Sequence, residues 1–490
     1  MSSGTFNKMK LDMSLVFMLL LFPRGLAASS LEQSEPLKTF GWRMDGTGCY
    51  SNANPPTEWS TTKNVLWSTP LPNKSSASPV LVNGLLFCCS DPNSLLCIDA
   101  TTGKILWEKT NALEDVATAG QLAKMQQSKI EAQSIYNEQN KLRGELDELK
   151  KTLNDTDFKE KVEESYVKLR EITAKLKLLK PFLQPEGYWY VGNTGSTPVT
   201  NGVNVYAVFP TGVVVCYDTK GNRVWIRFIE TPIMHHGHTS SPILTGGKLL
   251  VQLNELTAFD AATGQTQWTA DVASSHGTPI EVKIGDTPAL LTPYGDLVRI
   301  GDGRVVASSV ARTTFCASPI VHNGIAYFIR DTGHLAIKLP AMAADTVRPE
   351  VVWKAKAPVV DENLANELNT VQHEFGKILY WASPVFHDGM IYAITQFGTF
   401  SAIDAGTGSV VCEKTLADFK SSGEFFPSIA FAGKYLYVSG KNGMTLVIEP
   451  GNECKEIARN TLEPFIATPI FDGKRMYVRG EKTMYCIGEE

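Results

Sequence analysis

Four histidines raise the first chemical question. His235, His236 and His238 flank Gly237, and His276 follows further along the chain. Imidazole nitrogen is a good ligand for zinc and copper. Adjacent residues of an extended chain face opposite ways, however, so this spacing fixes no coordination geometry and no metal centre is expected. A ligand pocket reads better. His236, His238 and His276 would line it, Arg312 would meet an anion, and Trp381 would offer a flat apolar platform. The competing reading is that these side chains only pack the loops that carry them. Cys88-Cys89 is the one pair that invites a redox role, and no Cys-x-x-Cys-His haem motif accompanies it.

The elements that would position these residues recur. Ser78-Pro79, an apolar stretch, Asn83-Gly84, a second apolar stretch, then Asp99-Ala100-Thr101-Thr102-Gly103 and Trp107 make one unit. The unit returns at Thr197-Pro198, Asn201-Gly202, Asp218, Gly221 and Trp225, and again at Ser241-Pro242, Gly246-Gly247, Asp260, Gly264 and Trp268. A fourth strong copy runs Ser383-Pro384, Asp388-Gly389, Asp404, Gly408 and Cys412, with Cys where the Trp was. Weaker copies begin at Thr278-Pro279, Ser318-Pro319, Pro427 and Thr468-Pro469, which makes eight in all.

Each part has a physical reason. Proline lacks a donor and suits the first residue of a strand. Asn-Gly and Asp-Gly supply the positive φ values of a tight hairpin. The Asp of Asp-x-x-Thr-Gly satisfies free amides in a longer turn, and its Gly takes the left-handed position. The Trp, four residues on, opens an outer strand and lays a flat ring on the neighbouring blade. A period of about 40–45 residues suits one four-stranded propeller blade. The last copy has room for three strands, while Val65-Leu66-Trp67 precedes the first copy without partners. The expected fold is therefore all-β: an eight-bladed β-propeller closed by an N-terminal strand, which removes its free sheet edges. Seven copies carry Ser or Thr before the proline, where the connections from outer to inner strands converge on the axis. Either a narrow axis admits only small residues there, or a polar ring meets a ligand. The histidines, Arg312 and Trp381 sit close to these steps, at the same mouth. No carboxylate stands out there as a hydride-abstracting base, and no catalytic residue is assigned.

The string Asp-Ala-x-Thr-Gly-x-x-x-Trp resembles the repeat of the pyrroloquinoline-quinone (PQQ) propellers, the quinoprotein-dehydrogenase-like superfamily, over about 40–110 and 187–490. That superfamily includes quinone-dependent alcohol dehydrogenases and the periplasmic outer-membrane assembly lipoprotein BamB. Gly41-Trp42-Arg43 through Trp59, with Asn64–Trp67, is similar to secreted propellers that carry this repeat in environmental bacteria. The resemblance implies the fold and leaves the activity open. The cofactor it implies, where there is one, is PQQ with calcium. The dehydrogenases often set a vicinal disulfide against the quinone after a completed repeat, whereas Cys88-Cys89 ends the second strand of a blade, and their acidic calcium-binding cluster has no counterpart here. The expected function is a non-catalytic binding or scaffold module for a protein or small ligand. The alternatives are a PQQ-dependent dehydrogenase of alcohols or sugars and an assembly scaffold resembling BamB.

Composition narrows the classes. Hydrophobic content of 43% and charge of 20% describe an ordinary globular chain, and a net charge of -5 argues against nucleic acid. Lys8 and Lys10, the apolar run Leu15–Phe22 and the small Gly25 and Ala27 read as an export signal over 1–27, too short to span a bilayer, so a periplasmic or secreted protein is expected. The nine cysteines read mainly as small buried hydrophobes. Residues 111–183 interrupt the first blade after Trp107 and read as a coiled-coil-like helical hairpin. Its seam is Leu142, Leu146, Leu149 and Leu153 on one helix and Leu169, Ile172, Leu176 and Leu179 on the other. The hairpin is either a solvated decoration or a handle for a protein partner.

Overall fold

The turn dipeptides adopt the backbone their chemistry favours. Asn83-Gly84 has φ of 49° and 76°, and Asn323-Gly324 and Asp388-Gly389 repeat the pair of positive values. In the computed structural model, which describes residues 38–151, 157–183, 194–233, 238–311, 316–356, 380–416 and 424–489, these turns join antiparallel strands into eight sheets. Two short strands lead: β1 (Cys49–Tyr50) and β2 (Val65–Pro70). The first blade follows as β3 (Val80–Val82), β4 (Leu85–Ser90), β5 (Ser94–Asp99) and β6 (Ile105–Thr110), ordered from axis to rim. Each later blade repeats that order, with inner strands ending in the eighth blade at Ile470–Asp472. The eighth blade has only three strands of its own. Its fourth is β2, antiparallel to Thr483–Ile487, with Val65 opposite Ile487 and Pro70 opposite Thr483. The propeller is closed by its N-terminal strand.

Neighbouring blades are clamped at the rim. Trp67, Trp107, Trp225, Trp268 and Trp353 each donate the indole N–H to a turn carbonyl of the next blade, those of Ala100, Thr219, Ala261, Ile300 and Ala405, at 2.8–3.1 Å. The turn glycine meets the same ring: a Cβ on Gly103 would lie 2.6 Å from Trp67, and one on Gly264 2.7 Å from Trp225. Gly221 faces Trp107 and Gly408 faces Trp353 in the same way. Glycine is needed here for contact as well as for its φ of 68–85°. Asp99 holds the turn by accepting the Thr101 and Thr102 amides and the Thr102 hydroxyl, and Asp218, Asp260 and Asp404 act alike. Those bonds keep the Asp99 and Asp260 carboxyls below the usual range. Cys412 replaces the tryptophan of the sixth blade and forms a disulfide with Cys454 in the corresponding turn of the seventh. The reading of the cysteines as small hydrophobes holds for the buried Cys88, Cys97, Cys216 and Cys486, and is corrected for this pair, which replaces a packing clamp by a covalent one.

The hairpin consists of α1 (Ala119–Lys151) and α2 (Asp157–Leu179). It leaves after β6 and returns before Val199–Thr200, so it lies between the first two blades rather than within the first. Thr118 and Gln121 cap α1 reciprocally. Ala132, Ile135, Leu142, Ile172, Leu176 and Leu179 form the hairpin's own core, and Leu146 is buried. Leu122, Met125 and Phe182 fix its base on Phe87, Cys89 and Val213 of the two blades. Leu153 lies outside the described residues.

Removing a clamp should loosen the ring. Trp225→Ala is expected to cost about 3–5 kcal/mol in denaturant unfolding, because the indole is buried and its carbonyl partner is left unpaired. Reductant is expected to lower the unfolding midpoint of the native chain and to leave that of a Cys412→Ser, Cys454→Ser variant unmoved. A loss below about 1 kcal/mol for Trp225→Ala would contradict the clamp.

Candidate functional site

Small hydroxyl residues stand where the inner strands begin, and they close a circle. The backbone N–H of Ser78 donates to Thr197 Oγ1, Thr197 to Ser241, Ser241 to Thr278, Thr278 to Ser318, Ser318 to Ser383, Ser383 to Ser428, Ser428 to Thr468, and Thr468 back to Ser78, all at 2.9–3.2 Å. Every member is buried. In the seventh blade the position belongs to Ser428 rather than to Pro427, so seven copies become eight. The hydroxyls have a role beyond the two foreseen for them. They accept the one amide per blade that points across the gap to its neighbour.

Beside the circle much of the axis is occupied by the chain's own N-terminal segment. Phe40 exchanges two 2.8 Å hydrogen bonds with Thr200 at the far end of the second blade's inner strand. Gly41 and Met44 then bond each other in a turn that holds Arg43 and Met44 at φ of 52° and 65°, strained values for side-chain-bearing residues. The turn drives the Arg43 side chain up the axis. Its Nη1 donates to Pro384 O at 2.8 Å and its Nη2 to Ile429 O at 2.6 Å, in the sixth and seventh blades, while Nε has no partner. Arg43 is 3% exposed, and burial works against its charge. Gly48 makes room, since a Cβ there would overlap the guanidinium. Finally β1 runs parallel to Ala430–Ala432 as an added innermost strand of the seventh blade. The sequence marked Gly41-Trp42-Arg43 only by its resemblance to secreted propellers, and nothing in it placed this segment on the axis.

Of the residues foreseen for a pocket, the structure describes His238, His276 and Trp381. His236 and Arg312 lie outside the described residues. His238 is 4% exposed, with neither ring nitrogen hydrogen-bonded, and burial with the neighbouring His276 pushes its pKa down to about 3. The Thr239 hydroxyl donates to His276 O at 2.8 Å and lies 3.3 Å from its Nδ1, so His238 and His276 share one corner of the mouth. Trp381 is elsewhere, before the sixth blade, stacked on Phe426 at 4.5 Å. Lys441 lies over the Phe426 ring at 5.5 Å and is ion-paired with Glu424. Cys88 and Cys89 form no disulfide: one faces the eighth blade's core and the other the second blade's, where the Cys89 thiol donates to Ser196 O, and burial raises both thiols, Cys88 to about 11.

The ring, its closure and its clamps can now be set beside known proteins. The family described as outer membrane protein assembly factor BamB matches residues 56–144 and 185–336. This chain is a PQQ-repeat β-propeller. Among solved structures, BamB from Moraxella catarrhalis superposes with a TM-score of 0.52 at 10% identity, covering 87% of this chain and 97% of that one. A europium-containing methanol dehydrogenase gives 0.55 at 11%, covering 89% and 88%. A quinohemoprotein alcohol dehydrogenase from Pseudomonas putida gives 0.50 at 12%, covering 89% and 78%. At such identities the likeness concerns the fold. No curated protein sequence matches the chain.

Among the described residues of this PQQ-repeat propeller, His238 and His334 are buried imidazoles with pKa values depressed to about 3 and about 4. Each stays neutral in the fold and takes up a proton on unfolding below its ordinary value of 6.5. Stability is therefore complete above that value and falls as pH drops from there toward 4. His238→Leu is expected to reduce the slope of stability against pH in this window by up to about 1.4 kcal/mol per pH unit. An unchanged slope in pH-dependent denaturant melts would show that His238 is not held neutral.

Proposed function

We propose that this propeller is an exported, non-catalytic binding and scaffold module, in which the ring is a rigid mount and the hairpin engages a protein partner. The filling of the axis by residues 39–50 carries the reading. A closed ring of blades has its deepest cavity on its axis, and here the chain bonds the axial edges of the second, sixth and seventh blades to its own backbone and to Arg43.

The fit to PQQ is poor. PQQ is a polycarboxylate, and the axial space left open presents Asp45 and Glu281 and no lysine or arginine. Among the described residues, no group of three or more His, Cys, Asp or Glu is placed to hold a metal ion, and the vicinal thiols diverge. The Cys412–Cys454 bond favours an oxidising compartment and so supports export. No described helix is long and apolar enough to cross a membrane. The hairpin exposes Ile130, Tyr136, Tyr166, Val167 and Leu178, apolar surface that a partner would cover.

Two measurements test this. The mature chain dialysed against PQQ and calcium is expected to retain no quinone and to reduce no dye with alcohols or sugars. Retention with dye reduction would favour the dehydrogenase reading instead. A photo-crosslinker at Tyr166 is expected to trap a defined envelope protein, and Ile130→Ser with Leu178→Ser to weaken trapping at least about tenfold with the unfolding midpoint unchanged. No adduct, or trapping that ignores both substitutions, would remove the hairpin from the proposal.

A further inference from the structure

The plug leaves part of the axis open. A cavity of about 200 Å³ lies between residues 39–47 and the inner strands of the third, fourth and fifth blades. Trp42 and Met44 form one wall, and Ile243, Ile280 and Ile320 the other. Two carboxylates, Asp45 and Glu281, complete it, and both are exposed. Both hydrogen bonds to Asp45 fall on Oδ1, from the Thr47 amide at 3.0 Å and hydroxyl at 2.6 Å, which leaves Oδ2 free. Glu281 is in neither an ion pair nor a hydrogen bond. Arg43 forms no ion pair with either: its Nη atoms donate to Pro384 and Ile429 across the axis, its guanidinium lies 5.2 Å from the Trp42 ring, and the Asp45 charge acts on it less than its burial does. The space thus joins an apolar interior to unpaired negative charge and offers an anion nothing.

We infer that this cavity binds an organic cation with an apolar body, an ammonium group on a short alkyl chain. The chain lies against Met44 and the three isoleucines, where its methylenes leave water. The ammonium meets Asp45 Oδ2 and Glu281 at the solvent side, where it keeps part of its hydration and avoids the full cost of burying a charge. An alkyl alcohol of equal length would fill the same space without the charge, and a carboxylate would be repelled. The site is independent of the scaffold reading, since it involves neither the hairpin nor a quinone. Its ligand is either a free amine or the lysine side chain of a bound polypeptide.

Isothermal titration of the full mature chain with n-hexylamine, n-hexanol and hexanoate tests it. Hexylamine is expected to bind with a Kd below about 1 mM, hexanol at least about tenfold more weakly, and hexanoate not at all. Asp45→Asn and Glu281→Gln should each weaken hexylamine about threefold, as exposed charge pairs do, and leave hexanol unchanged, which also reports that the cavity is intact. Added salt should weaken hexylamine alone. Acetyl-lysine methylamide distinguishes the sources: binding equal to hexylamine assigns the site to a partner's lysine, and weaker binding assigns it to a free amine. Equal affinity for hexanol and hexylamine, no effect of either substitution, or no heat with hexylamine up to about 10 mM would each overturn the inference.

Discussion

Eight backbone amides, each bonded to a hydroxyl of the next blade, set the geometry on which the rest of this molecule depends. The beginning of an inner strand has no ladder partner on its axial side. Its N–H would be buried without an acceptor, and a buried orphan donor costs more than a made bond returns. A Ser or Thr in the neighbouring blade removes that cost, and only a small side chain fits so near the axis. Because the acceptor always belongs to the next blade, the bonds can all be made only if the last blade meets the first. Pairing β2 with Thr483–Ile487 brings that about. At the rim, tryptophan on glycine and one disulfide fix the blades' spacing at a larger radius. Two concentric sets of contacts leave little freedom for blades to tilt.

A ring so constrained has a fixed bore, and the bore has to be filled or used. The N-terminal segment fills much of it with a strained turn and a buried guanidinium whose Nη atoms donate to carbonyls rather than to a carboxylate. The blades tolerate this because the inner strands' free edges point inward: Phe40 takes up the edge of the second blade and β1 that of the seventh. What remains open is apolar within and acidic at its edge. The same segment therefore determines both what the axis cannot hold and what it can.

Much of this was legible in the residues. The Asp, Gly and Trp spacing, the turn dipeptides and the partnerless Val65–Trp67 strand each follow from local chemistry, so they survive translation into coordinates. Features that depend on three-dimensional register were less visible. Ser428 hid behind Pro427, because the proline stands before the hydroxyl residue instead of after it, two residues from its usual place. Trp353 went unnoticed because the turn before it, between Lys338 and Glu350, lacks the Asp-x-x-Thr-Gly pattern. Cys412 stood in the tryptophan position in plain view, yet its partner Cys454 could be found only once two blades were neighbours. His238 and His276 were foreseen near one mouth, and proximity to equivalent strand starts explains why they meet. Trp381 precedes the sixth blade, three places round from the blade after His238 and two from the blade after His276. Arg43 was the largest omission, since a lone arginine among glycines carries no periodic signal of burial.

Native-state hydrogen exchange, resolved for the amides of Ser78, Thr197, Ser241, Thr278, Ser318, Ser383, Ser428 and Thr468, tests the closed circle most directly. If the ring is sealed, these eight amides exchange only through global opening, with one common free energy that matches the denaturant value and with β2 protected to the same degree. Amides that exchange blade by blade through local fraying, above all Ser78 and Thr468 beside a freely exchanging β2, would contradict it.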